Sequence, residues 1–317
     1  MASSAVLVLI LMAVAVTVRG HSQIAKATPA ARFWEAALPG SPMPESIANL
    51  IRKGIDHSPL KEHHTGTKYL PNGILGSYND YTSQCGDSNQ AGAYAAVEGL
   101  FFHKADMRVG SAMTVAVLAS DPAAFLPRAA ADKIPFGNLA DALARFSIAP
   151  GSDEATLMGR TVCHCHAAPL SGEQKACATS LEGVVQSATR MLATSRPVAA
   201  WASALHSSGL PRGKYMVQAI RPLSGGRLVA CHVNVYPYAV YGCHMAEASS
   251  QAYIVSIRGG ARQPTVDMAA LCHFDTSNWS PAHPAFKVLG THPGGSPVCH
   301  FLPYADLVFG EKADNNA

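Results

Sequence analysis

The chain has little charge. Asp, Glu, Lys and Arg make up 14% of its 317 residues, and the formal net charge is only +3. No dense Lys/Arg run exists, so the electrostatic footprint of a nucleic-acid binder is missing. With 48% hydrophobic residues, the low charge also argues against disorder. Internal repeats and low-complexity tracts are absent, which excludes solenoids and propellers. Several catalytic signatures are missing too: no Gly-x-Ser-x-Gly elbow, no P-loop and no dinucleotide fingerprint.

Long apolar runs are also scarce. The one candidate, Ala5 to Val18, spans 14 residues, against the ~20 needed to cross a bilayer. Small residues Val18 and Gly20 follow before His21, so residues 1–20 read as a signal peptide. The n-region lacks Lys and Arg, and Arg19 sits near the cut. Export to the extracellular space is the expectation, with no membrane association after cleavage. In an oxidising compartment the eight cysteines become candidates for disulfides before metal sites.

What the chain does have is histidine, fourteen in all, and a change of pattern along its length. Residues 21–99 are rich in Gly, Pro, Ser and Asn and read as a propeptide-like linker. One short helix is expected over Pro44–Arg52, with Ile47, Leu50 and Ile51 on one face. A folded domain is expected over 100–310, followed by a tail at 311–317. Ala123–Phe146 (broken at Pro135), Ala155–Val162 and Ala178–Leu192 have helical spacing. Beyond Lys214 short β-prone runs alternate with Gly and Pro: Tyr215–Ile220, Leu228–Tyr236, Ala239–Met245, Ala252–Arg258, Thr265–Phe274, Phe286–Leu289, Val298–Leu302 and Asp306–Phe309. The expected class is α+β, with a helical first half and a sheet-dominated second half.

Four Cys-His dipeptides punctuate those strands: Cys231-His232, Cys243-His244, Cys272-His273 and Cys299-His300, separated by 10, 27 and 25 residues. On a strand, neighbouring side chains leave opposite faces. Each dipeptide therefore sends a thiol one way and an imidazole the other. A symmetric hairpin centred on Pro237-Tyr238 would set Cys231 opposite His244 and make mixed Cys/His pairs. Proline, with φ of about −65°, is wrong for the first position of the favoured two-residue turns, which needs φ > 0. A longer loop shifts the register by one and sets Cys231 opposite Cys243. Both arrangements are open at this level: mixed metal ligation, or disulfides on one face and histidines on the other.

These residues resemble the BURP domain, a plant family. Further motifs follow in family order: Phe101-Phe102 with Asp106 and Gly110, Phe125-Leu-Pro-Arg128, Ala131-Asp-Lys-Ile-Pro-Phe136, Gly172-Glu173, Cys177-Ala-Thr-Ser-Leu-Glu182, Tyr236-Pro-Tyr-Ala-Val240, Asp275-Thr-Ser277 and His300-Phe-Leu-Pro303. Phe33-Trp34 through Pro42-Met43-Pro44 resembles an N-terminal segment of some members. The resemblance implies a secreted protein acting without catalysis in the cell wall or apoplast, in seed or anther development or in stress responses. Its partner would be a wall polysaccharide or a wall enzyme. Some members are copper-dependent peptide cyclases that crosslink Tyr or Trp within a core peptide of the same chain. That branch makes copper the implied cofactor, His232, His244, His273 and His300 its ligands, and Cys231, Cys243, Cys272 and Cys299 disulfide partners or ligands. Residues 21–99 carry no repeated core peptide ending in an aromatic residue, which disfavours the cyclase. They also lack the aromatic-Gly repeats of the polygalacturonase-subunit branch. Cys165 and Cys177 match family positions and are expected to form a local disulfide. Cys163, within Cys163-His-Cys-His166, is expected to pair with Cys85 or stay a free thiol. Asn278-Trp-Ser280 is a glycosylation sequon weakened by Pro281. Glu173 and Glu182 read as surface or capping carboxylates.

Overall fold

The strand Leu228–Asn234 is buried at every position, which a strand of Leu, Val, Ala and Cys tolerates only when both faces are covered. It is the middle strand of the smaller of two antiparallel sheets packed face to face. The computed structural model describes residues 28–56, 85, 98–134, 136–169, 173–223, 227–245 and 249–312. The signal-peptide reading over 1–20 falls outside them, as does most of 57–97.

The elements in chain order are α1 (Pro29–Ala37), α2 (Glu45–Asp56), β1 (Phe101–His103), β2 (Ala112–Val117), α3 (Arg128–Ala131), α4 (Leu139–Arg145), α5 (Asp153–His166), β3 (Lys175–Ala178), α6 (Leu181–Leu192), β4 (Val198–Trp201), β5 (Leu210–Pro222), β6 (Leu228–Asn234), β7 (Val240–Met245), β8 (Ser250–Arg258), β9 (Val266–His273), α7 (Pro284–Leu289), β10 (Val298–Phe301) and β11 (Leu307–Glu311). The larger sheet runs β1-β10-β9-β8-β5-β2 and the smaller β3-β7-β6-β11-β4.

Helices dominate the first half and strands the second, as the sequence pattern predicts. Four short strands depart from that division. β1, β2, β3 and β4 come from the first half and complete both sheets. Three of them have only three or four residues, too short for a period-2 pattern to register. Another difference is Phe286–Leu289, which lies in α7 rather than a strand. Local caps decide this. The ring of His283 accepts the Ala285 N–H, Pro284 sits at the first helical turn, and Gly290 ends the helix at φ 62°.

The expected helix near Pro44–Arg52 is present as α2, and α1 precedes it. Thr28 caps α1 by accepting the Ala31 N–H, with Pro29 at its first turn. Trp34, Leu38, Ile47, Leu50 and Ile51 enter the same apolar core as α6, β6 and β9. The Trp34 indole donates to Ser41 O at 2.9 Å, and Ser41 Oγ accepts the Ala200 N–H of β4 at 3.0 Å. A Cβ at Gly54 would collide with the Phe125 carbonyl oxygen, so glycine is what lets α2 approach this closely. Residues 28–56 are therefore part of the folded body.

A second cluster lies under α3, α4 and α5, where Leu126, Leu143, Met158 and Val162 pack on Tyr236, Tyr238 and Val240. A third separates the two sheets: Leu228, Ala230 and Val308 of the smaller sheet meet Ala252, Ile254, Ala269 and Leu271 of the larger.

A candidate imidazole cluster between the sheets

The register of the β6–β7 hairpin decides what the Cys-His pairs do. Asn234 pairs with Val240, leaving a five-residue connection, and Cys231 stands opposite Cys243. Directly opposed residues share a face, so the two thiols meet and bond. The same occurs between β9 and β10, where Cys272 stands opposite Cys299. In both pairs the Cα atoms are 4.0 Å apart. The cysteine side of each sheet turns into the main core.

The histidines leave from the other face. His244 stands opposite Ala230, and His232 opposite Gly242. His273 stands opposite Val298, and His300 opposite Leu271. All four therefore point into the space between the sheets, and all four are buried. Ring centroids lie 5.5 Å apart for His232–His244, 6.0 Å for His232–His300 and 5.6 Å for His273–His300. The Nε2 atoms of His232 and His244 are 3.4 Å apart.

Each ring has an oxygen facing its Nδ1. His232 faces Asp306 Oδ2 at 2.7 Å, and His244 faces Glu173 Oε1 at 3.7 Å. On the larger sheet the partners are neutral oxygens: Ser250 Oγ at 3.3 Å from His273 and Phe301 O at 3.2 Å from His300. A carbonyl oxygen can only accept, so the His300 Nδ1 carries the proton and its Nε2 keeps a lone pair. Burial holds His300 well below the usual histidine range, and neighbouring His273 and His232 lower it further. The Phe301 carbonyl opposes that shift without reversing it.

The donor set is imidazole nitrogen, because disulfides consume all the cysteine sulfurs. That chemistry suits a borderline ion such as copper or zinc. The Nδ1 partners are the kind that orient ligating imidazoles. Among the described residues, no three His, Cys, Asp or Glu side chains stand in a ready metal-binding set. The rings are gathered without their Nε2 atoms converging on one point.

Sequence reading brought the four histidines forward but missed Asp306, Glu173 as a histidine partner, and Ser250. Asp306 was findable in principle, as a lone acid in the apolar stretch Pro303–Phe309. The remaining cysteines lie elsewhere. Cys165 bonds to Cys177, tying α5 to β3, and Cys163 bonds to Cys85. Glu182 lies in the first turn of α6. Asn278 is exposed.

No helix among the described residues is long and apolar enough to cross a membrane. The chain is 34% identical to Protein RAFTIN 1B of Triticum aestivum over 358 aligned positions, covering 96% of this chain and 97% of the wheat protein. It is 42% identical to BURP domain-containing protein 13 of Oryza sativa subsp. japonica, over 70% of this chain and 55% of the rice protein. It is 40% identical to BURP domain protein RD22 of Arabidopsis thaliana, over 66% of this chain and 55% of that protein. For the latter two the chain thus spans only about half their length. The family model described as BURP domain matches residues 100–311, the span that holds both sheets and all four Cys-His pairs. The chain belongs to the BURP domain family.

Proposed function

We propose that this protein works outside the plant cell, in the wall or apoplast, as a non-catalytic member of its family. Its inter-sheet histidines form the binding site of a metal ion, copper by family resemblance. The setting is development, as in seed or anther, or response to stress, and the partner is a wall polysaccharide or a wall enzyme. The observation that carries the reading is the gathering of His232, His244, His273 and His300 between strands stapled by Cys231–Cys243 and Cys272–Cys299. Four disulfides suit an oxidising compartment. When bound, the ion would supply a Lewis-acidic, redox-capable centre. The protein's own contribution is to orient His232 through Asp306 and His244 through Glu173, and to keep His300 neutral.

The test is metal analysis of the oxidised mature protein after exposure to copper. Stoichiometric copper that is lost when the four histidines are replaced supports the reading; absence of binding sinks the metal part. Mass spectrometry on the same sample distinguishes the cyclase, which would remove two hydrogens per crosslink. An unchanged mass leaves the non-catalytic reading in place. Recovery of the tagged protein from cell contents instead of wall and apoplastic fluid would refute the location.

A further inference from the structure

The imidazole cluster extends into a longer column of rings. In order it runs His244, His232, His300, His273, Trp279, His283, with successive centroids 5.5, 6.0, 5.6, 4.8 and 4.5 Å apart. The five imidazoles are buried, whereas Trp279 is half-exposed. The two ends of the cluster differ in chemistry. At one end His244 lies against the Glu173 carboxylate, and the two side chains are 11% and 12% exposed. At the other, Trp279 stands edge-on to His273 at 66° and packs against Phe286 of α7 at 6.0 Å.

Trp279 sits at the solvent boundary. Phe274, Asp275, Ser277 and Asn278 beside it are exposed. Its backbone is nonetheless fixed. The Trp279 N–H donates to Thr276 O at 3.0 Å, the His283 N–H to Ser280 O at 2.9 Å, and buried Thr276 Oγ1 accepts the Gly294 N–H at 3.2 Å. Any opening here is a movement of the indole, not of the turn. Rotation of a half-exposed side chain is fast and cheap beside local unfolding.

We propose that Trp279 determines access to His273 and His300. Its indole is a stopper at the aromatic end of the four-histidine cluster, and a compact species such as a hydrated divalent cation must displace it to reach those rings from that side. The nature of the physiological ligand rests on the metal reading above, whereas the control of access does not.

Diethyl pyrocarbonate, which acylates accessible neutral imidazoles, tests this in metal-free oxidised protein, with each histidine followed by peptide mass spectrometry. In the wild type, His244 should label faster than His273. Trp279→Ala should speed labelling of His273 and His300 severalfold and leave His244 at its wild-type rate. Trp279→Phe should stay near wild type, and so should Trp201→Phe, whose ring packs on the neighbouring inter-sheet cluster. Trp279→Leu carries the same test if the alanine variant fails to fold. An unchanged His273 rate overturns the proposal, as does equal acceleration of all four histidines, which would mean a generally loosened fold. Copper chloride gives the second arm. Bound copper should quench wild-type tryptophan fluorescence more than that of Trp279→Phe. If copper does not bind but His273 labelling responds to Trp279→Ala, the metal reading falls and the gate stands. If copper binds and His273 labelling is indifferent to residue 279, the gate falls alone.

Discussion

Asp306, immediately before β11, fastens His232 on the neighbouring strand β6. Its Oδ2 lies 2.7 Å from His232 Nδ1, and its Oδ1 accepts the Val233 N–H at 2.9 Å. Both side chains are buried. One carboxylate thus fixes the tautomer of an imidazole and the position of the strand that carries it.

Replacing Asp306 by Asn should therefore weaken both fold and cluster. The loss of a charge-assisted buried hydrogen bond costs about 1–3 kcal/mol, read by urea unfolding. If the histidines bind copper, affinity should drop by about 10–100-fold, the usual consequence of removing an oriented partner of a ligating imidazole. Wild-type stability in the Asn variant would refute the structural part.

Acid should destabilise the metal-free protein through His300. Its folded pKa lies well below its unfolded value of about 6.5, so the folded state binds fewer protons. The stability this contributes is fully present above pH ~6.5 and is lost as pH falls below it, by up to about 1.4 kcal/mol per pH unit. Parallel unfolding curves from pH 8 to pH 4 for wild type and His300→Gln measure it. The wild-type curve should fall more steeply, and identical slopes would contradict the assignment.

The four disulfides should open in two stages. Cys231, Cys243, Cys272 and Cys299 are at most 1% exposed. Cys85, Cys163, Cys165 and Cys177 are all half-buried. Mild reduction followed by alkylation and peptide mapping should modify the second group first, because exchange needs access to sulfur. Removing the buried Cys231–Cys243 bridge by a double substitution should cost about 2–4 kcal/mol.

Trp34→Ala should destabilise the whole protein by about 3–5 kcal/mol, the range for a large core aromatic. Gly54→Ala should cost about 1–3 kcal/mol by forcing α2 away from the Phe125 carbonyl. Both are measured by thermal or urea unfolding. Negligible effects would mean that residues 28–56 are only loosely attached to the domain.

The two substitutions at the N-terminal segment also mark where sequence reading stopped short. The face of Ile47, Leu50 and Ile51 was legible as a helix, but nothing local says which surface an amphipathic face covers. The composition of residues 21–99 suggested a linker because Gly, Pro and Ser are frequent across the whole span. The apolar residues that dock, such as Trp34 and Leu38, are few. β1, β3 and β4 were invisible for a similar reason: three or four residues carry no period, and only their partners β10, β7 and β11 make them strands.

By itself the sequence determined the family, the division into helical and sheet-rich halves, and the separation of thiol from imidazole at each Cys-His pair. That separation follows from the two-residue repeat of a strand, which needs no partner to be read. Tertiary structure alone decided the register, because a one-residue shift exchanges disulfides for mixed pairs and the choice lies in the five-residue turn between Asn234 and Val240. It also decided that the two histidine faces meet, and supplied Asp306, Glu173 and Trp279 around them. Asp306 and Glu173 are distant in sequence from the rings they meet, and the pairing of β11 with β6 and of β3 with β7 brings them there. Trp279 lies six residues beyond His273, and the turn after β9 folds its indole back onto that ring.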